Sequence, residues 1–309
     1  MTTQSNAMSD TLDVQRAAAA LSPTCPLYWS VRRELMENRW IYLGQLAVAA
    51  LFLFGFLITT VHLPAHVRAL SGKDPMQSRE ALASHYEVAA GVMMGTLILM
   101  CLFYCADALH GERRDRSILF WKSLPVSDLT TVLAKASVPL VVLPLLTFSV
   151  IVGIQLVMLL VSSIVLGASG AGVGLLWRQL SIFQMWGQIL YHLLTAHALW
   201  PFPVFCWLLL VSGWARRAPL LWAALPVVAI AGIEKLVFNS SHFVEMVVVR
   251  MVGGNAPTDY TPGSMFPMGP MTHLTPGRFL GAPGLWIGFA FAAIFLAVAV
   301  RLRRCRGPI

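Results

Sequence analysis

Long apolar runs alternate with short polar connections along this chain, and the runs have the length of membrane spans. A helix needs about 20 predominantly apolar residues to cross a bilayer. Six stretches meet that length, at 41–62, 88–110, 138–167, 191–214, 220–238 and 283–300. In lipid each backbone amide must find its partner inside the protein, so these runs predict helices. The pattern predicts an all-α polytopic membrane protein with one six-helix domain over 30–309. A polar, alanine-rich tail at 1–29 precedes it. The tail lacks the basic-then-apolar order of a signal peptide. Its first 25 or so residues are expected to be mobile or loosely helical.

The connections differ in kind. Residues 30–40 place Val31, Leu35 and Met36 among Arg32, Arg33, Glu34, Glu37 and Arg39. That pattern predicts an amphipathic helix lying in the membrane interface before the first span. The loop at 63–87 is polar and is expected to be partly helical. Trp177 and Trp186 suit the outer interface. Pro201 and Pro203 predict a kink in the fourth span. A tight turn at 213–219 joins the fourth and fifth spans. The stretch 242–252 is apolar but too short to cross, so it predicts a re-entrant or interfacial helix.

Composition agrees with a membrane setting. Only 12% of residues are charged, against roughly 25% in soluble domains. Mean hydropathy is +0.71. The net charge of +8 fits loops facing anionic lipid better than nucleic-acid binding. With the N-terminus in the cytoplasm, fifteen of the 22 lysines and arginines fall on cytoplasmic connections, close to the helix ends, and seven fall outside. Positive charge therefore predicts that both termini are cytoplasmic.

The exception to the scarcity of charge is the island at 111–128, between the second and third spans. Arg114, Asp115, Arg116 and Lys122 surround Ile118, Leu119, Phe120, Trp121 and Leu124. Large apolar side chains inside a water-facing charged segment suit a partner's groove, or they anchor the loop to the membrane surface. Pro125 is expected to end a short helix here, and Ser127 or Asp128 to cap the next one. A short rigid helix transmits a push without bending.

The island resembles the loop after the second helix of ABC-2 type transporter permeases. Members of that family have six helices, an amphipathic lead-in, a coupling helix between the second and third spans, and short re-entrant helices before the last. The resemblance covers nearly the whole chain, and its specific part is the island of about 17 residues. It implies a permease subunit of an ATP-binding-cassette exporter in a bacterial inner membrane. It also implies two permease subunits, as a homodimer, working with two copies of an ABC ATPase subunit. The chain has no Walker motif, so ATP and Mg would sit on a separate ATPase chain. ATPase coupling is then expected at Arg114, Asp115, Arg116, Ile118, Leu119, Phe120, Trp121, Lys122 and Leu124. Secondary contacts are expected at Arg32, Arg33, Glu34, Arg216 and Arg217. The cargo would be an amphipathic or hydrophobic substrate.

Two rival classes stay open. One is an ATPase-coupled partner doing mechanical or sensing work on lipid or protein, with copper-linked assembly included. A lateral, lipid-facing groove would favour it over a central cavity. The other is an intramembrane enzyme, for which no H-E-x-x-H, paired aspartates or serine–histidine pairing is found. No catalytic residue, no resident cofactor and no metal ligand is expected. Met265, Met268, Met271 and His273 form the one copper-like pattern, and flexible apolar packing explains it better. His192 and His197 do not share a face well enough to ligate a metal together. Cys101 and Cys105 are expected to be buried free thiols. Asp107 is expected to form an interfacial ion pair with Arg113 or Arg114.

Overall fold

A computed structural model describes residues 24–70, 75–123, 126–170, 174, 177, 181–252 and 276–307. Residues 1–23, Leu124, and the Met265, Met268, Met271 and His273 pattern lie outside the described residues. Among the described residues all regular structure is helical.

Helix α1 spans Thr24–Glu37 and α2 Trp40–Thr59. The interfacial lead-in therefore begins six residues before its predicted start at Ser30. After α3 (Leu63–Leu70), helix α4 runs without a break from Pro75 to Asp107. Two short helices follow, α5 (His110–Arg114) and α6 (Ser117–Ser123). Then come α7 (Asp128–Ser137), a π-helical turn at Val138–Val142, and α8 (Leu143–Ala168). Helix α9 (Ile182–Leu194) leads through a second π turn, Thr195–Leu199, into α10 (Phe202–Trp214). The chain closes with α11 (Pro219–Phe238), α12 (His242–Val252), α13 (Pro276–Gly281) and α14 (Pro283–Cys305).

Among the described residues, five segments are single helices long and apolar enough to cross a membrane: 40–65, 83–114, 128–168, 219–238 and 283–305. The pair α9–α10, bent by 45° at its break, brings the number of candidate spans to six if it is counted as one broken span. The bend falls at the predicted prolines. Pro201 and Pro203 have no N–H, and the Val204 and Phe205 amides both turn to the Pro201 carbonyl. The Trp200 carbonyl loses its helical partner, and Arg250 of α12 supplies one, with Nε at 3.2 Å. Arg250 Nη2 also donates to the Gly284 carbonyl at 2.7 Å, and its guanidinium lies 4.9 Å from the Trp200 ring centre. Gly288 leaves the space it occupies, since a Cβ there would collide with Arg250 and Pro203. Arg250→Ala is therefore expected to destabilise the protein by about 2 kcal/mol, the penalty for stripping a buried carbonyl of its donor. Thermal unfolding in detergent measures it, and Arg250→Lys should recover part of the loss.

The core lies where α4, α8 and α10 meet. Tyr104, Leu143, Ile151, Met158 and Phe205 are buried there, with Cys101, Cys105 and Cys206 as free thiols. Some polar side chains inside the bundle are paired, while the Tyr191 hydroxyl, both ring nitrogens of His192 and Trp200 Nε1 are buried without a hydrogen-bond partner among the described residues. Gln45 donates to Thr147 Oγ1 at 2.7 Å. Gln155 donates to the Tyr86 carbonyl at 3.0 Å and accepts from Trp186 Nε1 at 2.8 Å. Such bonds hold helices together in lipid, where apolar contact alone does not discriminate neighbours. The two π turns pack against each other and against α4. Helix α11 is the least enclosed span, with Ala223 its one buried residue.

Helices α2 and α4 pack against each other. Near one end the Met100 side chain fills the space beside Gly44; toward the other, Gly55 has open space beside it. The gap is a cleft of about 510 Å³ lined by Leu51, Phe52, Gly55, Phe56, Thr59, Ser84, His85 and Val88.

Candidate functional site at the charged end of the bundle

The chain reverses twice between α4 and α7, and side chains from elsewhere in the sequence secure both reversals. The Leu109 and His110 amides, which begin α5, donate to Ser212 Oγ of α10 at 3.0 and 2.9 Å. In return Arg113 of α5 donates from Nη1 to the Gly213 carbonyl at 2.8 Å and the Ala215 carbonyl at 3.3 Å, at the end of α10. A cation at a helix C-terminus satisfies orphan carbonyls and suits the helix dipole. Asp107, expected to pair with Arg113 or Arg114, lies 3.8 Å from Arg114 at an exposed edge.

Locking α5 in this way carries Glu112 inward to a buried cluster of ion pairs. Glu112 Oε1 is 3.1 Å from Arg33 Nη2 and 3.2 Å from Lys135 Nζ, and its Oε2 accepts from Arg303 Nη1. Glu34 Oε1 accepts from Lys135 Nζ at 2.8 Å and Arg33 Nη2 at 2.9 Å, and its Oε2 from the Tyr104 hydroxyl at 3.0 Å. Asp128, the first residue of α7, accepts from Arg303 Nε at 3.1 Å. The side chains of Glu34, Glu112, Lys135 and Arg303 are each at most 6% exposed. Burying isolated charges would cost several kcal/mol each. Here three carboxylates meet three cations, so the cluster is neutral. Glu37 stands at its rim, 3.6 Å from Arg33 Nε. Burial raises the Glu37 carboxyl above its ordinary range, and Arg33 pulls it back.

These residues come from α1, α5, α7 and α14, with Tyr104 from α4. The first and last described helices therefore meet at the same end of the bundle. Nearest-neighbour charge patterns contain no sign of the cluster: Glu34 and Glu112 are 78 positions apart and Glu112 and Arg303 are 191 apart. The available signals were a lysine, Lys135, at the start of a long apolar run, and an acid in the lead-in helix.

Helix α6 lies against this cluster. Ile118 is buried and fixes the helix to the body. Leu119 and Phe120 are 58% and 60% exposed, side by side on the outer surface. Trp121 turns inward, with the Arg33 guanidinium 3.8 Å above its ring and Phe120 edge-on at 4.8 Å. Lys122 donates to the Arg306 carbonyl at 3.3 Å. Arg116 adopts a left-handed φ of 58° where α5 gives way to α6. Ser127 caps α7, accepting from the Thr130 amide at 3.0 Å as the sequence predicts. Asp128 is free for Arg303 because it does not cap.

The expected contact residues divide into two groups. Leu119, Phe120, Lys122, Arg114, Asp115 and Arg116 are exposed. Arg114 pairs with its neighbour Asp115 at 3.0 Å. Arg216 and Arg217 are exposed on the α10–α11 turn, where Ala218 has a left-handed φ of 47°. Arg32 lies over Trp29 at 5.1 Å on the exposed side of α1. Ile118 and Glu34 instead face inward, and Arg33 and Trp121 join the two groups. Trp121 thus links α6 to Arg33, and Arg33 links it to Glu34 and Glu112 of the ion cluster.

No family model, curated protein or solved structure matches this chain.

Proposed function

We propose that this chain is the membrane-spanning permease subunit of an ATP-binding-cassette exporter of the ABC-2 type. In this reading it lies in a bacterial inner membrane with both termini cytoplasmic. ATP and Mg belong to a separate ATPase chain, present in two copies, and two permease subunits form a homodimer. The observation that carries the reading is the position of α6. Leu119 and Phe120 are an exposed apolar pair on a rigid seven-residue helix, backed by Trp121, Arg33 and the ion cluster. An ATPase gripping that pair would push on a neutral, tightly paired joint between several helices. Such a joint moves as a unit, because separating any one charge from it is costly. Arg32, Arg216 and Arg217 supply exposed cations nearby for an acidic rim on the partner.

The test is co-purification from native membranes. A chain with Walker A and B motifs should copurify with this one, and its ATP hydrolysis should respond to amphipathic or hydrophobic compounds. Copurification without any such ATPase overturns the reading.

The cleft between α2 and α4 supports a second reading. It opens sideways toward lipid, as Leu51 and Val88 at its rim are 72% and 56% exposed. ATP-driven mechanical work on a membrane lipid fits a lateral opening better than export through a central path. ATP hydrolysis that responds to lipid composition and to no soluble compound would favour it.

A further inference from the structure

We infer that the cleft between α2 and α4 is a binding site for one acyl chain of a membrane lipid. This goes beyond the permease reading and does not depend on an ATPase. The proposed orientation enters only in naming the leaflet, which would be the outer one.

The cleft has a polarity gradient along the membrane axis. Leu51, Phe52, Phe56 and Val88 line the part nearer the ion cluster, and Thr59, Ser84 and His85 lie at the end farther from it. An acyl lipid has the same gradient. Leu51 to Thr59 covers about 12 Å of helix, close to the hydrocarbon depth of one leaflet, about 15 Å. Phe56 is buried as the floor, and Leu51 and Val88 form open edges, so the occupant enters from the bilayer. The Thr59 hydroxyl donates to the Phe56 carbonyl at 2.8 Å and keeps lone pairs for a headgroup donor.

The space beside Gly55 is unfilled, with nothing within 4 Å of where a Cβ would stand, whereas beside Gly44 the Met100 side chain fills it. A side chain at residue 55 would enter the cleft without touching backbone. Gly55 is thus the position at which the cleft can be plugged with least disturbance.

The full chain is reconstituted in nanodiscs of phosphatidylcholine that include a phosphatidylcholine with a diazirine midway along one acyl chain. After illumination and proteolysis, adducts are quantified by mass spectrometry. Adducts on 51–59 and 84–88 should exceed those on the comparably lipid-exposed α11. Gly55→Trp should lower the cleft adducts by about tenfold, since evicting two methylenes suffices for that factor. Adducts on α11 should not change. Gly55→Leu, a smaller plug, should act in the same direction. Equal labelling of the cleft and α11 in the wild-type protein means annular lipid only and overturns the site, whether or not either variant folds. Undiminished cleft labelling in a folded Gly55→Trp protein also overturns it. Neither outcome bears on copurification of an ATPase, so the two proposals fail separately.

Discussion

Glu112→Ala is expected to destabilise the protein by about 3–5 kcal/mol, the range for removing one partner of a buried ion pair. Three cations touch this carboxylate: Arg33, Lys135 and Arg303. Without it they share Glu34 and Asp128, with the more exposed Glu37 beside Arg33 at the rim, and the buried positive charge is poorly compensated. The loss should exceed that of any exposed charge on the island, including Arg114 or Asp115, whose pairs are solvated and contribute little. Glu112→Gln should cost less, because its amide oxygen still accepts a bond. A double-mutant cycle separates pairing from packing. Glu112→Ala combined with Arg303→Ala removes one charge of each sign and should cost less than the two single changes summed. Thermal unfolding of the purified protein in detergent measures each term. Additive losses, or wild-type stability for Glu112→Ala, would remove the cluster from the account.

Phe120→Ala is expected to weaken the ATPase partner's association by about 2 kcal/mol or more, roughly thirtyfold, as for a central aromatic anchor. Its effect on stability should stay within about 0.5 kcal/mol, since the ring is mostly exposed and packs edge-on against Trp121. Trp121→Ala should behave differently. It also removes the ring beneath Arg33, a contact of about 1–2 kcal/mol when partly desolvated. It should therefore lose both stability and coupling, with ATP hydrolysis continuing without transport. Pull-down yields and the ratio of transport to ATP hydrolysis report the two effects. Equal consequences for both substitutions would mean that α6 anchors the loop and does not transmit motion.

Apolar run length located five candidate spans and the bent α9–α10 pair, because lipid sets a minimum apolar length for a crossing helix. The kink was legible too, since Pro201 and Pro203 cannot donate to a helix. The start of the third span was not. Residues 128–137 include Thr130, Thr131, Lys135 and Ser137, which read as an approach to the membrane. Here α7 instead continues into α8 through a π turn, with Lys135 turned inward to Glu34 and Glu112. The same limit hid the role of Glu34. The polar face of an amphipathic helix is assigned to water by default, and only distant partners, Lys135 and Tyr104, show that this carboxylate points into the protein. Trp121 illustrates the limit in the other direction. As a sequence feature it was indistinguishable from Phe120 as an exposed anchor, and Arg33 from the lead-in helix covers it. The cleft has no local signature, because a glycine in an apolar run does not reveal whether the space beside it is filled.

As a lever for a soluble partner, α6 is expected to face the cytoplasm. Lys122→Cys tests it most directly, in a background with Cys25 and Cys305 changed to serine. Lys122 is exposed on α6, and the remaining thiols, Cys101, Cys105 and Cys206, are buried. A membrane-impermeant maleimide should leave this cysteine unlabelled in intact spheroplasts and label it fully in inverted membrane vesicles. Labelling from outside intact spheroplasts would place α6 on the wrong side of the membrane and contradict the account.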